Sequence, residues 1–421
     1  MYTMCKNLSF EECELTILRA SVDKSERIQG RELLQSPETK KIIRIVEAFI
    51  IKNKCIVYGG TAINNILPKE DQFYDYDYEL PDYDFFSPNA FDLAKKLADL
   101  YASKGFEDVE AKSGVHHGTY KVFVNHMGVA DITYLHPELY DSIKKTAIVK
   151  ERILYAPANF LRQSMFLELS RPMGDVSRWE KILKRLNLLN KHYPLVYKKC
   201  ELQRRFSSRR DEPELFTLTK NAFVDEGVVF IGGYANAMYT TYTKVPKLKN
   251  IPDFDVLSLT PKETAQKVSA TLKKKQYEVT IQEHAAIGEL VSKHYSISVD
   301  GEYIAFVYEP TACHSYNVID DRGKQLKIGS IDTLLSYYLA FMYSDRDYFD
   351  ENRLLCLSSV LFKVQQENRL SQKGILKRFV LQCYGKQQTL ADMREENNKL
   401  HTQLKRGSKE YEERFLKYTP N

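Results

Sequence analysis

Residues 55–62 read CIVYGGTA and residues 228–235 read VVFIGGYA, each a short apolar run leading into Gly-Gly and then a helix-like stretch. About twenty residues further on, PDYDFF at 81–86 is matched by PDFDVL at 252–257. A helix-length amphipathic segment follows in each case, at 90–104 and at 264–275. Paired strand-like segments come next, 119–124 with 129–134 and 295–299 with 303–308. Both copies end in an apolar helical run, FLRQSMFLELSR from Phe160 and TLLSYYLAFMYS from Thr333. Blocks that keep their order and spacing point to an ancient duplication, and so to two α/β modules in tandem.

Size agrees with that division. A chain of 421 residues with 43% hydrophobic content can build two or three packed cores. The divisions expected are an N-terminal segment at 1–35, a first module at 36–150, a helical segment and basic linker at 151–210, a second module at 211–325 and a helical C-terminal region at 326–421. A formal net charge of +5 permits a polyanionic partner without demanding one. The local distribution is sharper: residues 181–210 carry ten Lys or Arg and one acid, Glu201, whereas residues 70–84 hold seven acids and no base. No apolar run approaches the roughly 20 residues that span a bilayer, and MYTMCKNLSFEECEL lacks the regions of a secretory signal, so no membrane partner is expected. Seven cysteines, an odd number without a CxxC pair, suggest an intracellular chain with neither a disulfide framework nor a zinc site.

The first chemical block, residues 55–66, reads as strand, tight turn and helix. Glycines there let the backbone approach a phosphate, and the free N–H groups and positive dipole end of the helix favour an anion. Thr61 adds a hydroxyl donor. A glycine turn with no ligand is the commoner meaning of Gly-Gly by itself. Two Asp-Tyr-Asp triplets follow, at 75–77 and 82–84. The second is preferred: Pro81 precedes it, Phe85 and Phe86 follow it, and the later copy repeats the context, whereas Asp75 and Asp77 lie among polar residues as in a solvated loop. Side chains at i and i+2 of a strand share a face roughly 6.5–7 Å apart, so Asp82 and Asp84 point together. Such a pair beside a phosphate cradle calls for cations, and hard oxygen ligands select Mg²⁺ or Mn²⁺, two of which can be bridged. Asp131 is the candidate third carboxylate. It interrupts the β-prone VADITY at 129–134, where an acid is costly to bury without a cation or partner, although alone it would read as an edge-strand acid facing water.

In this order, Gly-Gly, an aspartate pair flanked by apolar residues and a lone strand aspartate, the chain resembles the polymerase-β-like nucleotidyltransferase superfamily. More narrowly, it is similar to the poly(A) polymerase catalytic subunits of large cytoplasmic DNA viruses of the Mimivirus and Megavirus kind. Residues 160–194, FLRQSMFLELSRPMGDVSRWEKILKRLNLLNKHYP, carry this narrower signature, and the resemblance covers most of the chain. It implies an α+β fold of two tandem nucleotidyltransferase-like modules, each a mixed sheet with helices and a following helical segment, the second degenerate. It also implies Asp82, Asp84 and Asp131 as catalytic metal ligands, Gly59 and Gly60 as phosphate contacts, and two Mg²⁺ or Mn²⁺ ions. Template-independent addition of adenylates from ATP to an RNA 3′ end, with release of pyrophosphate, is the implied reaction. A homodimer in the host cytoplasm or virus factory is the implied setting. The span from Gly60 to Asp82 is long for the superfamily, but the viral branch has a similar insertion and the second copy nearly the same length.

The second copy keeps Asp253 and Asp255 but aligns IAFVY with VADITY, which puts Phe306 in the place of Asp131 and Tyr234 in the place of Thr61. It should be catalytically dead, with a structural role. Lys144 and Lys145 follow the Asp131 strand and are candidates for the triphosphate, although most lysine pairs are simply solvated. Within the basic run, Lys198, Lys199, Arg204 and Arg205 are candidates for the RNA backbone, against the ordinary reading of a solvated helix face and linker. His116 and His117 are adjacent and lack a second ligand pair, which favours a surface loop over a metal site. Trp179 lies on an apolar helical face with Ile182, Leu183 and Leu186, which favours packing over base stacking. Residues 371–421 carry eleven bases against six acids and a long charged helix suited to RNA or to assembly. The rival functions are a uridylyl-, CCA-adding or oligoadenylate-forming transferase built on the same aspartates, and a non-catalytic RNA-binding scaffold, against which the intact aspartate set speaks.

Overall fold

A computed structural model describes residues 5–197, 211–243, 253–321 and 323–420, which form two compact units. The first comprises residues 1–134, 147–156 and 398–421. It opens with helix α1, Phe10–Gln35, started by a capping box in which Ser9 and Glu12 each satisfy the other's backbone N–H. Helix α2, Pro37–Asn53, has Ile42, Val46, Phe49 and Ile50 on one face, and these side chains are buried. Then come strand β1 (Ile56–Val57), helix α3 (Gly59–Ile66), strand β2 (Asp84–Ser87), helix α4 (Ala90–Ser103), and strands β3 (Val109–Ser113), β4 (Thr119–Val124), β5 (Met127–Tyr134), β6 (Ile148–Lys150) and β7 (Ile153–Tyr155). The sheet runs β3-β4-β5-β2-β1-β7-β6, with β2 parallel to β5 and β1 parallel to β7. Its free β3 edge is closed by the late strand Lys417–Tyr418, antiparallel to β3.

The second unit comprises residues 135–146 and 157–397. Helices α5 (Pro137–Lys145), α6 (Ala158–Leu169), α7 (Trp179–His192) and α8 (Glu212–Asp225) lead into β8 (Val229–Phe230), α9 (Gly233–Thr240), β9 (Phe254–Leu257) and α10 (Pro261–Lys273). Strands β10 (Val279–His284), β11 (His294–Val299), β12 (Glu302–Tyr308), β13 (His314–Asp321) and β14 (Lys324–Gly329) follow, then α11 (Ile331–Phe341), α12 (Glu351–Glu367), β15 (Cys383–Tyr384) and the start of α13 (Leu390–Gln403), whose residues from 398 on belong to the first unit. The sheet order is β10-β11-β12-β9-β8-β14-β13-β15, in which β10 through β13 reproduce the first sheet's order from β3 through β6, including the two parallel pairs β9/β12 and β8/β14, and β15 is added at the β13 edge. The duplication read from the sequence is therefore a duplication of topology. Every residue of α11 is buried, and among its polar members Asp332 is paired with Arg378 at 2.7 Å, and the Thr333 and Ser336 hydroxyls with backbone carbonyls.

The cysteines differ from expectation. Cysteine pairing was not anticipated, yet Cys5 is bonded to Cys13 and Cys313 to Cys383. Cys313 and Cys383 lie far apart in sequence, and the pairing of Ser315 with Cys383 across β13 and β15 is what brings them together. No helix among the described residues is long and apolar enough to cross a membrane.

Buried histidines make the second unit sensitive to acid. His314, between the hydroxyls of Ser170 and Thr311 at 3.2 and 3.0 Å, is pushed down to about 3 by burial and then by the Arg171 charge. Burial likewise lowers His294, to about 4. Both are neutral in the fold, whereas an unfolded histidine protonates near about 6.5. The unfolded chain binds more protons below that pH, so stability present at pH 7 falls as pH drops from about 6.5 toward 4. The melting temperature should be lower at pH 5 than at pH 7, and replacing His314 by Gln should flatten that dependence.

Candidate active site

Asp84 is the first residue of β2 and is paired directly with Asp131 on the parallel strand β5. The Asp131 N–H donates to the Tyr83 carbonyl at 3.0 Å, which fixes the strands immediately behind the two carboxylates. Asp82 is exposed, Tyr83 and Phe85 are buried, and Asp84 is half-buried. The alternation that places Asp82 and Asp84 on one side therefore starts before the strand does. Asp75 and Asp77, the other triplet, sit in an exposed loop.

The glycine turn lies against this pair. Tyr58 donates its N–H to the Asp84 carbonyl at 2.9 Å, and Gly59 then turns with φ of 71° into α3. A Cβ at residue 59 would stand 2.7 Å from Asp84 Oδ2. Glycine is required here both for the left-handed conformation and for the approach of the carboxylate. Gly60 is half-buried in the first turn of α3. Thr61, expected as a phosphate donor, is buried, and its hydroxyl donates to the Asp82 carbonyl at 2.6 Å. Its observed work is to hold Asp82.

The span from Gly60 to Asp82 is pinned to α3. Asn64 is fully buried, and its Oδ1 accepts from the N–H groups of both Phe73 and Tyr74 at 2.8 Å. Tyr83 donates to Glu47 Oε1 at 2.6 Å. Asn64→Ala would orphan two N–H groups at about 1–3 kcal/mol each. It should lower the melting temperature and raise hydrogen exchange at Phe73 and Tyr74.

The electrostatics converge on Tyr58. Its ring stacks on Phe86 at 3.8 Å and its hydroxyl pairs with Thr133 Oγ1 at 2.9 Å, which in turn meets Thr119 Oγ1 at 3.1 Å. Burial first, then the negative charges of Asp84, Asp131 and Asp82, drive its phenol well above the ordinary tyrosine range. One phenol thus feels all three carboxylates. Lys121, opposite Asp131 across β4 and β5, bonds its ammonium to Asp131 Oδ2. Among the described residues no group of three or more Asp, Glu, His or Cys side chains is drawn together as a metal-ligand set. Asp84, which stands against Gly59, and Asp131, in register with it, carry hard oxygen donors of the kind that Mg²⁺ or Mn²⁺ takes.

Lys144 and Lys145 end α5, in the second unit, where Lys144 lies over the Tyr140 ring at 5.3 Å and both complement the helix dipole. Lys198, Lys199, Arg204 and Arg205 fall outside the described residues. His116 and His117 occupy an exposed turn. Trp179 is half-buried, donates Nε1–H to the Glu168 carbonyl at 3.1 Å and packs on Phe379. Sequence reasoning missed Tyr58, Asn64 and Lys121. Tyr58 was readable as the residue entering the glycine turn, and Lys121 only through strand register.

The second copy shows the same frame with different contents. Asp255 pairs across β9 and β12 with Phe306, as the alignment required. Asp253 is buried and ion-paired with Arg353 of α12 at 2.9 Å, both side chains almost wholly shielded. Tyr308 donates to Asp255 Oδ1 at 3.3 Å. Tyr234, in the Thr61 position, is buried against Phe216, Phe230 and Phe254. In this module the first aspartate is held by a guanidinium, and an aromatic ring packed on other rings stands in the Thr61 position.

Comparison with known proteins places the chain among viral relatives. The profile of the family described as poly(A) polymerase catalytic subunit matches residues 44–175, a segment that contains Gly59, Gly60 and all three aspartates. A protein assigned as the poly(A) polymerase catalytic subunit of African swine fever virus is 33% identical over 181 residues, covering 42% of this chain and 38% of that protein. A protein of the same assignment from Acanthamoeba polyphaga mimivirus is 31% identical over 193 residues, covering 44% and 31%. The chain thus matches well under half the length of these viral relatives. The crystal structure of the Megavirus polyadenylate synthase superposes with a TM-score of 0.84 at 23% identity, covering 98% of this chain and 86% of that one. The resemblance read from the sequence is thereby borne out: residues 44–175 match the poly(A) polymerase catalytic subunit family, in a chain with the fold of the Megavirus polyadenylate synthase.

Proposed function

We propose that the chain is a template-independent polynucleotide adenylyltransferase, with Asp82, Asp84 and Asp131 as its catalytic carboxylates. The observation that carries this reading is the direct register of Asp84 with Asp131 beside Gly59, set against Asp255 with Phe306 in the second module. One module retains a complete acidic set, and the other has lost its third member.

In the reaction a bond forms between the RNA 3′ oxygen and the α-phosphorus of ATP, the α–β phosphoanhydride bond breaks, and pyrophosphate leaves. Mg²⁺ or Mn²⁺ held by the three carboxylates would supply the positive charge that acidifies the 3′ hydroxyl and neutralises the departing pyrophosphate. The N–H groups opening α3 face the anionic end of the nucleotide, and Gly59 lets phosphate and carboxylate share a narrow space. Thr61 and Asn64 hold Asp82 and its loop in place, and Tyr58 keeps its proton and braces β1 against Thr133. Rate enhancement then comes from orientation and prearranged charge.

The test is extension of a labelled oligoribonucleotide with each of the four NTPs and Mg²⁺ or Mn²⁺. Long tails with ATP, lost in Asp131→Ala and kept in Asp77→Ala, support the reading. Tails with UTP or CTP instead would make it another RNA nucleotidyltransferase, and no extension with any NTP would leave a non-catalytic RNA binder. Asp253→Ala is a poor control, because it strands a buried guanidinium. Association into a dimer, implied by the viral resemblance, is checked by sedimentation of the full chain.

A further inference from the structure

We propose that Lys121 is the resident counter-ion of Asp131, a built-in cation that gives way to an incoming divalent metal and thereby sets how tightly the empty site takes metal up. This rests on the nucleotidyl-transfer reading above. Three observations lead to it.

The first is placement. Along β4 the side chains alternate, with Tyr120, Val122 and Val124 buried and Thr119, Lys121 and Phe123 half-exposed. That alternation puts Lys121 on the same face as Asp131, directly across the strand pair, with the ammonium bonded to the carboxylate. A lysine there neutralises part of a site in which Asp82 and Asp84 already bring negative charge.

The second is exchangeability. The two side chains are 40% and 25% exposed, and an ion pair this open is worth little as a structural staple. Lysine is a point charge on a flexible four-carbon stem, so the ammonium can swing to water without moving the strand. A divalent ion at Asp131 would stand within a few ångströms of it and repel it.

The third is the second module, where the duplication provides a comparison within one chain. The residue opposite Phe306 across β11 and β12 is Ser296. Where the third carboxylate has gone, the lysine facing it has gone too. Of the two aspartates this module retains, Asp253 is matched by a different kind of cation, Arg353, whose side chain is only 6% exposed. One module thus carries a half-exposed, exchangeable cation on its third carboxylate, and the other a buried, fixed one on its first.

The measurement is Mn²⁺ uptake by the nucleotide-free full chain, followed by the electron paramagnetic resonance signal of free Mn²⁺, for wild type, Lys121→Met, Lys121→Arg and Asp131→Asn. Removing one positive charge beside a divalent ion should tighten Mn²⁺ binding by roughly tenfold in Lys121→Met, whereas Lys121→Arg stays within about twofold of wild type. Thermal melting in EDTA should show Lys121→Met slightly less stable than wild type, with a larger rise on adding Mn²⁺. A Lys121→Met affinity equal to or weaker than wild type would overturn the proposal, as would equal tightening in the Met and Arg variants. If Asp131→Asn takes up Mn²⁺ as wild type does while Lys121→Met still binds tighter, the assignment of Asp131 fails but a cation near Lys121 stands. If no variant differs from wild type, both readings fall.

Discussion

Asp84→Asn should lower RNA extension by roughly a thousandfold or more while the chain keeps its melting temperature within a few degrees. The substitution keeps size and hydrogen-bonding capacity but removes the charge from the carboxylate that is closest to Gly59 and in register with Asp131. Removing one of three neighbouring negative charges relieves repulsion, so activity and stability should part company. Single-turnover extension of an oligoribonucleotide, run beside circular dichroism, separates the two. Activity within tenfold of wild type would remove Asp84 from the chemistry, and a collapse of melting temperature would make its role structural.

Arg353→Ala should destabilise the second unit by about 3–5 kcal/mol, because it removes the guanidinium bonded to a carboxylate that is closed to water. The loss belongs to the broken pair, not to the pair's own net stabilisation. Replacing both partners together, Asp253→Leu with Arg353→Met, should therefore recover most of it. Urea unfolding of the three proteins decides the matter. Equal midpoints for wild type and Arg353→Ala would mean that the pair is hydrated, and a double variant as weak as the single one would mean that the guanidinium has partners beyond Asp253.

Much of this was readable in the chain because duplication doubles every signal. Gly-Gly alone is a turn, and a single Asp-x-Asp is a loop as often as a site. Two copies in the same order favoured Asp82 and Asp84 over Asp75 and Asp77, and they put Phe306 in the place of Asp131 before any register was known. What stayed hidden depends on contacts across the chain. Lys121 is one lysine among many until β4 is laid against β5. Arg353 is separated by about a hundred residues from the acid it meets, and Thr61 turns its hydroxyl to a carbonyl on the far side of an insertion. Cys313 and Cys383 looked scattered for the same reason: proximity in a sheet leaves no period in the sequence.

Lys417–Tyr418 completes the sheet that holds the aspartates, and nearby chain adds further ties: Leu416 exchanges bonds with Ser113, the Glu413 carbonyl accepts from Tyr120, and Tyr418 reaches Asp99. On the ribosome these residues emerge only after the whole second unit has been made. The first unit, although begun first, therefore cannot close its β3 edge until synthesis has passed residue 418, and a nascent chain interrupted earlier would expose that edge to pairing with its neighbours. Order of translation and order of completion are inverted in this protein, so the half that carries the aspartates is the last to be finished.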